Sequence, residues 1–254
     1  LSLEKFMRQV KPRDESYVNH VDRIQDLLIE SKSRGFAYEL EVYEILKSAN
    51  LTPPNFSPPR PGGHGPDGMF MFHGTPYSLE IKLDLKADYG QGTLKYSNNY
   101  WSLSSTNTDA ALEMKELLIG IGAEKFVNDK WSKHGVPNKG TVPSRNFTPQ
   151  HVSDDYKRFK NEFLTVPSKI LWDYYGRKGV YYIQIGGYGL YYMQDNPAKL
   201  PIPQFNPKMR LRIRVKRGGS NPIYNYRFTT ALQITDKPKK SNHDLTKNLE
   251  LLRK

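Results

Sequence analysis

The sequence predicts an α/β fold: a mixed central β-sheet flanked by helices, with additional strands from the C-terminal third. Three observations carry that expectation. Residues 36–48 repeat apolar side chains at three- and four-residue spacing, the period of a helix. Residues 77–86 alternate instead, with Tyr77, Leu79, Ile81, Leu83 and Leu85 on one face and Ser78, Glu80, Lys82, Asp84 and Lys86 on the other, the period of a strand. From Val180 onward there are four strand-like stretches, with turns supplied by Gly186-Gly187 and Gly218-Gly219-Ser220-Asn221. The 254 residues are read as one domain, with a core over about 16–125 and a β-rich, basic part over about 179–236.

Composition narrows the partners. The formal net charge is +12, so the field favours a polyanion, with nucleic acid ahead of an anionic membrane. No apolar run is long enough to cross a bilayer as a helix. The opening LSLEKFMRQVKPRDES has no apolar stretch of the kind a signal peptide needs. Cysteine is absent, which excludes disulfides and thiolate zinc sites and fits an intracellular, cytoplasmic protein. The six histidines show no HExxH spacing.

In chain order, residues 16–31 read as a helix through Val18, Val21, Ile24, Leu27 and Leu28, with Ser16 as its cap. A second helix runs from Phe36 to about Ser48. Its Glu39 lies three after Phe36, three before Val42 and seven before Leu46, inside the apolar arc. A carboxylate turned inward needs a cation or a hydrogen-bond partner. Either it faces a site, or it snorkels out to a nearby Lys or Arg. Residues 50–65 are a proline- and glycine-rich loop in which Arg60 and His64 could reach a nucleic-acid backbone.

Residues 65–86 read as a β-hairpin turning at His73-Gly74. With a two-residue loop Asp67 faces Glu80; with a four-residue loop it faces Lys82. Either way Asp67, Glu80 and Lys82 project from one side. Two carboxylates and an ammonium so placed suit a hard divalent cation beside a scissile phosphate.

Pro66-Asp67 followed by Glu80-Ile81-Lys82 resembles the PD-(D/E)xK nuclease superfamily, the fold of most type II restriction endonucleases. Gly35-Phe36-x-x-Glu39-x-x-Val42-x-x-x-Leu46 is similar to the helix that precedes the hairpin in that superfamily. The resemblance covers about residues 35–87. It implies a restriction-endonuclease-like core and a magnesium-dependent endodeoxyribonuclease, with manganese able to substitute. Asp67, Glu80 and the Ile81 carbonyl would ligate the metal. Lys82 would position or help deprotonate the attacking water, and Glu39 would orient water or a second cation. Asp84-x-Lys86 repeats the pattern one step along the same face and is the competing catalytic pair. Another nuclease activity (exonuclease, junction resolvase or RNA-cleaving) and a non-catalytic DNA-binding protein are the alternatives.

After the hairpin, Gly90 and Gly92 break the strand, and Gln91, Lys95, Tyr96, Asn98 and Asn99 form a polar-aromatic loop suited to contact DNA. A helix follows over Asp109 to Ile121, with Leu112, Leu117, Leu118 and Ile121 inward. Residues 128–153 read as an exposed basic segment that orders on DNA. Helical spacing resumes from Asp154 to about Tyr175, broken at Pro167. Strands are expected at 180–185, 190–194, 209–217 and 223–234. In the third of these, Leu211, Ile213 and Val215 face one way, and Arg210, Arg212, Arg214 and Lys216 the other, with Arg217 at its end. Such a ladder reads as a contact for double-stranded DNA, or as a charged edge protected from aggregation. The tail forms a short helix capped by Ser241 or Asp244, docking on its own core or on a second copy in a homodimer.

Overall fold

The computed structural model describes residues 34–59, 65–104, 109–143, 146–216 and 226–253. The expected helix over 16–31, Arg60, His64, Arg145 and Arg217 lie outside them. Helix α1 (Arg34–Ser48) buries Phe36, Tyr38, Leu40, Val42, Tyr43 and Leu46. Strands β1 (Gly68–Phe72) and β2 (Thr75–Lys82) make the hairpin. Its loop is the two-residue form, with Phe72 opposite Thr75 and Gly68 opposite Leu79. His73 and Gly74 both take positive φ, 48° and 75°, the demand of a type I′ turn.

Next come β3 (Gly90–Ser97) and β4 (Tyr100–Leu103). Helices α2 (Asp109–Gly120), α3 (Ala123–His134), α4 (Asn138–Thr141) and α5 (Pro149–Phe159) follow. Strand β5 (Phe163–Val166) leads to α6 (Lys169–Arg177). The chain closes with β6 (Val180–Ile185), β7 (Gly189–Tyr192), β8 (Met209–Lys216), β9 (Arg227–Ile234) and a 3₁₀ turn at Glu250–Leu252.

The fold is mixed α/β, but the strands divide between two sheets rather than extending one. The first has order β1-β2-β6-β7, and the second β4-β3-β9-β8-β5. β2 and β6 are parallel; the other pairings in both sheets are antiparallel. One face of the first sheet, carrying Leu79, Ile81 and Tyr182, packs on Tyr38, Val42 and Leu46 of α1 and on the tail. Each such fully buried side chain contributes roughly 1.5–3 kcal/mol. The opposite face, carrying Ile183 and Ile185, joins Leu211, Ile213, Phe228 and Leu232 of the second sheet in a larger core.

Five local expectations are corrected. Gly90 and Gly92 do not break a strand; they lie inside β3, where a Cβ would run into Met114 or into Leu103 and Leu118. Asn98 and Asn99, at φ 51° and 57°, form the tight turn to β4, so the polar-aromatic stretch is a hairpin. Leu112 is exposed, whereas Leu118 is fully buried. The described residues of 128–153 include the end of α3, all of α4 and the start of α5, and they are bonded into the fold. Buried Asp155 accepts from the Asn138 and Lys139 main-chain N–H groups and from Tyr226 Oη, while Lys130 and His134 both pair with Glu162. Pro149 follows the Thr148 cap, whose side chain accepts from His151 N. The expected helix over 154–175 is two helices with β5 between them, because pairing of Phe163–Val166 with β8 overrides the helical spacing.

The tail is also not a helix up to its 3₁₀ turn: Asp244 Oδ1 accepts from Thr246 N and caps a turn instead. Leu245, Leu251 and Leu252 are buried in the core beneath Leu79 and Ile81, so the tail docks on its own fold.

Candidate active site

The C-terminal end of β2 sets the site. Glu80 and Lys82 stand opposite Ile183 and Ile185 of β6 and so point to the face between the two sheets. Asp67 precedes β1 by one residue, and the hairpin register continues to place it across from Glu80. Its Oδ2 accepts from the Ile81 main-chain N–H at 3.0 Å and from Lys82 Nζ at 3.4 Å. Lys82 Nζ also makes an ion pair with Glu80 Oε1. The two carboxylates therefore converge on one cationic point, and Lys82 occupies it. The Ile81 contact is made through its N–H.

Glu39 enters from α1, half-buried. Burial, with the charges of Asp67 and Glu80, pushes its carboxyl up to about 7 against the pull of Lys82. Burial likewise raises Glu80, which Lys82 partly offsets. Burial alone would lower the Lys82 ammonium, but Glu80 and Asp67 more than reverse that, so it keeps its proton. With three carboxyl groups around one ammonium, the cluster gains net negative charge as Glu39 and Glu80 ionise, which a divalent cation would balance. Among the described residues no three His, Asp or Glu side chains could hold a metal by themselves, so main-chain or water oxygens would have to complete a shell. The donor set of two converging carboxylates fits a hard cation on those terms.

Asp84 and Lys86 are not on this face. β2 ends at Lys82, whose carbonyl accepts from Gly186 N. The chain then turns, with Asp84 Oδ1 accepting from Lys86 N at 2.7 Å, and both side chains are exposed. The strand alternation expected through Lys86 stops four residues earlier.

Two tyrosines escaped the sequence reading. Tyr175 of α6, buried, donates its hydroxyl to Glu80 Oε1 at 2.7 Å and lies 3.4 Å from the Tyr89 carbonyl oxygen. Tyr89 is buried against Phe205, and its hydroxyl has no hydrogen-bond partner among the described residues. Burial raises both phenols, so they stay protonated as donors. No sequence signal joins Tyr175 to a strand so far upstream; a tyrosine-rich composition was the only hint.

The basic strand lies elsewhere. β8 is inside its sheet, between β9 and β5, so it is not an edge. Arg212 stands opposite Ala231, which stands opposite Gln91 of β3; Arg214, Thr229 and Thr93 form the next row. Lys95 follows Thr93 on the same face by alternation. The register thus brings Gln91 and Lys95 to the face of Arg210, Arg212 and Arg214. Arg214 pairs with Asp88, while the Nε atoms of Arg210 and Arg212 are buried without a partner among the described residues. Lys216 ends β8 opposite Arg227.

The fold and site together are those of a mixed α/β protein with an acid–acid–lysine cluster at the end of a hairpin strand. No protein-family model matches the chain, and no curated protein matches it. Among solved structures it is similar to HhaI endonuclease in complex with DNA, at 12% identity and a TM-score of 0.40, over 85% of this chain and 94% of that one.

Proposed function

We propose that the chain is a metal-dependent endonuclease that hydrolyses phosphodiester bonds in double-stranded DNA, in the manner of a restriction enzyme. The observation that carries this reading is the convergence of Asp67 and Glu80 on the Lys82 ammonium, with Glu39 alongside. Asp67 and Glu80, with the Ile81 carbonyl, would hold magnesium or manganese, which when bound supplies Lewis acidity to the phosphate and to the leaving 3′ oxygen. Lys82, held in its charged form, suits orienting the attacking water and offsetting charge on the phosphorane rather than removing a proton. Glu39, raised to about 7, suits accepting that proton near neutral pH. Arg210, Arg212, Arg214, Lys216, Gln91 and Lys95 would contact DNA, the cations through phosphate and an arginine through a guanine edge.

The test is incubation of supercoiled plasmid with magnesium and with EDTA. Discrete bands with magnesium alone are expected. A smear would make the enzyme non-specific, and intact but gel-shifted DNA would reduce the protein to a binder. Calcium should support binding without turnover, since its looser geometry does not place the water.

A further inference from the structure

Besides Asp67, Glu80, Glu39 and Lys82, a further side chain decides how Glu80 is presented. Tyr175 arrives from α6, almost a hundred residues downstream, and its hydroxyl donates to Glu80 Oε1 at 2.7 Å. Lys82 Nζ contacts the same oxygen. Neither bond uses Oε2. A buried carboxylate gripped twice at one oxygen has its rotamer fixed, and its second oxygen is left to serve as a ligand. The helix that supplies the grip is itself anchored. Tyr175 is 6% exposed and packs in the core shared by the two sheets, and the Trp172 indole N–H donates to the Phe205 carbonyl at 2.7 Å. The hydroxyl also sits 3.4 Å from the Tyr89 carbonyl, at the start of the second sheet. It therefore stands where α6, the hairpin and the second sheet meet.

We infer that Tyr175 is a positioning residue that fixes the Glu80 carboxylate for divalent-cation binding. It does not touch the reacting phosphate; it acts through Glu80. This rests on the nuclease reading only for its effect on rate, because its effect on cation affinity is measurable without DNA.

The variant is Tyr175→Phe, which keeps the ring in the core and removes only the hydroxyl. Mn²⁺ affinity of the DNA-free protein, by calorimetric titration, is expected to fall about tenfold, the equivalent of about 1.4 kcal/mol. The single-turnover cleavage rate should fall at least as far, while duplex affinity in EDTA stays within twofold. A purely structural tyrosine would leave Mn²⁺ affinity unchanged. Tyr174→Phe is the control, since that hydroxyl accepts from Lys178 Nζ instead. Wild-type Mn²⁺ affinity and rate in a folded Tyr175→Phe protein would overturn the inference. Should the Phe variant not fold, Tyr175→Met, which fills the space with a flexible apolar chain and no donor, takes its place under the same criterion. A wild-type protein that binds Mn²⁺ but cuts nothing would refute the nuclease reading and leave the Tyr175 effect on affinity to be judged alone. A wild-type protein that binds no Mn²⁺ would overturn both.

Discussion

Strands β2 and β8 obey the same alternation and use charge in opposite ways. On β2 the charged face is turned inward, between the sheets, and its charges are mixed and mutually engaged: Asp67, Glu80 and Lys82 meet within one cluster, with Glu39 beside it. On β8 the charged face is a ladder of one sign, in which Arg214 pairs with Asp88 and Arg210 is set over the Phe163 ring at 5.8 Å. Mixed charges held close in a desolvated place tune protonation and hold a cation, which is what chemistry needs. Like charges in a row repel each other until a polyanion arrives, which is what affinity needs. The same period-two pattern thus turns its charges toward the space between the sheets on β2 and away from it on β8.

The comparison breaks most sharply at Asp67 and Glu80. Asp67→Asn or Glu80→Gln should lower cleavage roughly 1,000-fold or more, the loss of several kcal/mol of transition-state stabilisation, with duplex binding little changed. Lys82→Ala should cripple the rate as well, and Lys86→Ala should not, since Lys86 is exposed beyond the strand. A cleavage time course beside a gel shift checks all four. Full activity in either acid variant would remove the site from this strand.

A smaller effect is expected on β8. Arg212→Ala should leave the rate at saturating DNA intact and weaken binding to every duplex, flattening the salt dependence by about one unit of log–log slope. Arg214→Ala should flatten it less, because Asp88 already neutralises that guanidinium in the free protein. Binding in calcium across a salt series measures both. Equal, unchanged slopes would show that this face does not meet DNA.

The smallest expected effect sharpens the β2 side. The folded-state pKa of Glu39 lies above its ordinary value, so the native protein holds that proton more tightly than the unfolded chain. Its stabilising contribution is therefore fully present below the ordinary carboxylate range and is lost as pH rises through about 7. In metal-free buffer, thermal melting of Glu39→Gln should depend less on pH between 5 and 8, and should exceed wild type at pH 8 by about 2–4 °C at most. Parallel pH curves for the two proteins would place Glu39 outside the influence of the cluster.

Legibility from sequence followed the range of the interaction. The hairpin turn, the shared face of Asp67, Glu80 and Lys82, and the inward turn of Glu39 are local facts, set by side-chain period and turn chemistry. So was the separation of Leu211 and Ile213 from Arg210, Arg212 and Arg214. What the sequence did not disclose was whatever depends on partners far along the chain. β5 forms because β8 lies beside it, not because FLTV outcompetes its helical surroundings. Asp155 orders the basic segment through groups that lie both before and after it in sequence. Tyr175 and Asp88 acquire their roles only when α6 and the second sheet close on the hairpin.

The two-residue turn at His73-Gly74 has a further consequence, one of parity. Because each strand residue alternates sides, the site depends on Asp67 and Glu80 being equally distant from that turn. Adding residues to the hairpin in balanced pairs lengthens it and leaves the acids facing each other. A single added residue between the turn and Glu80 moves Ile81 to the face of the acid–lysine cluster and sends Glu80 into the apolar layer beneath, where Leu79 and Tyr182 now pack. The chain between the two acids can therefore drift in composition far more freely than in length.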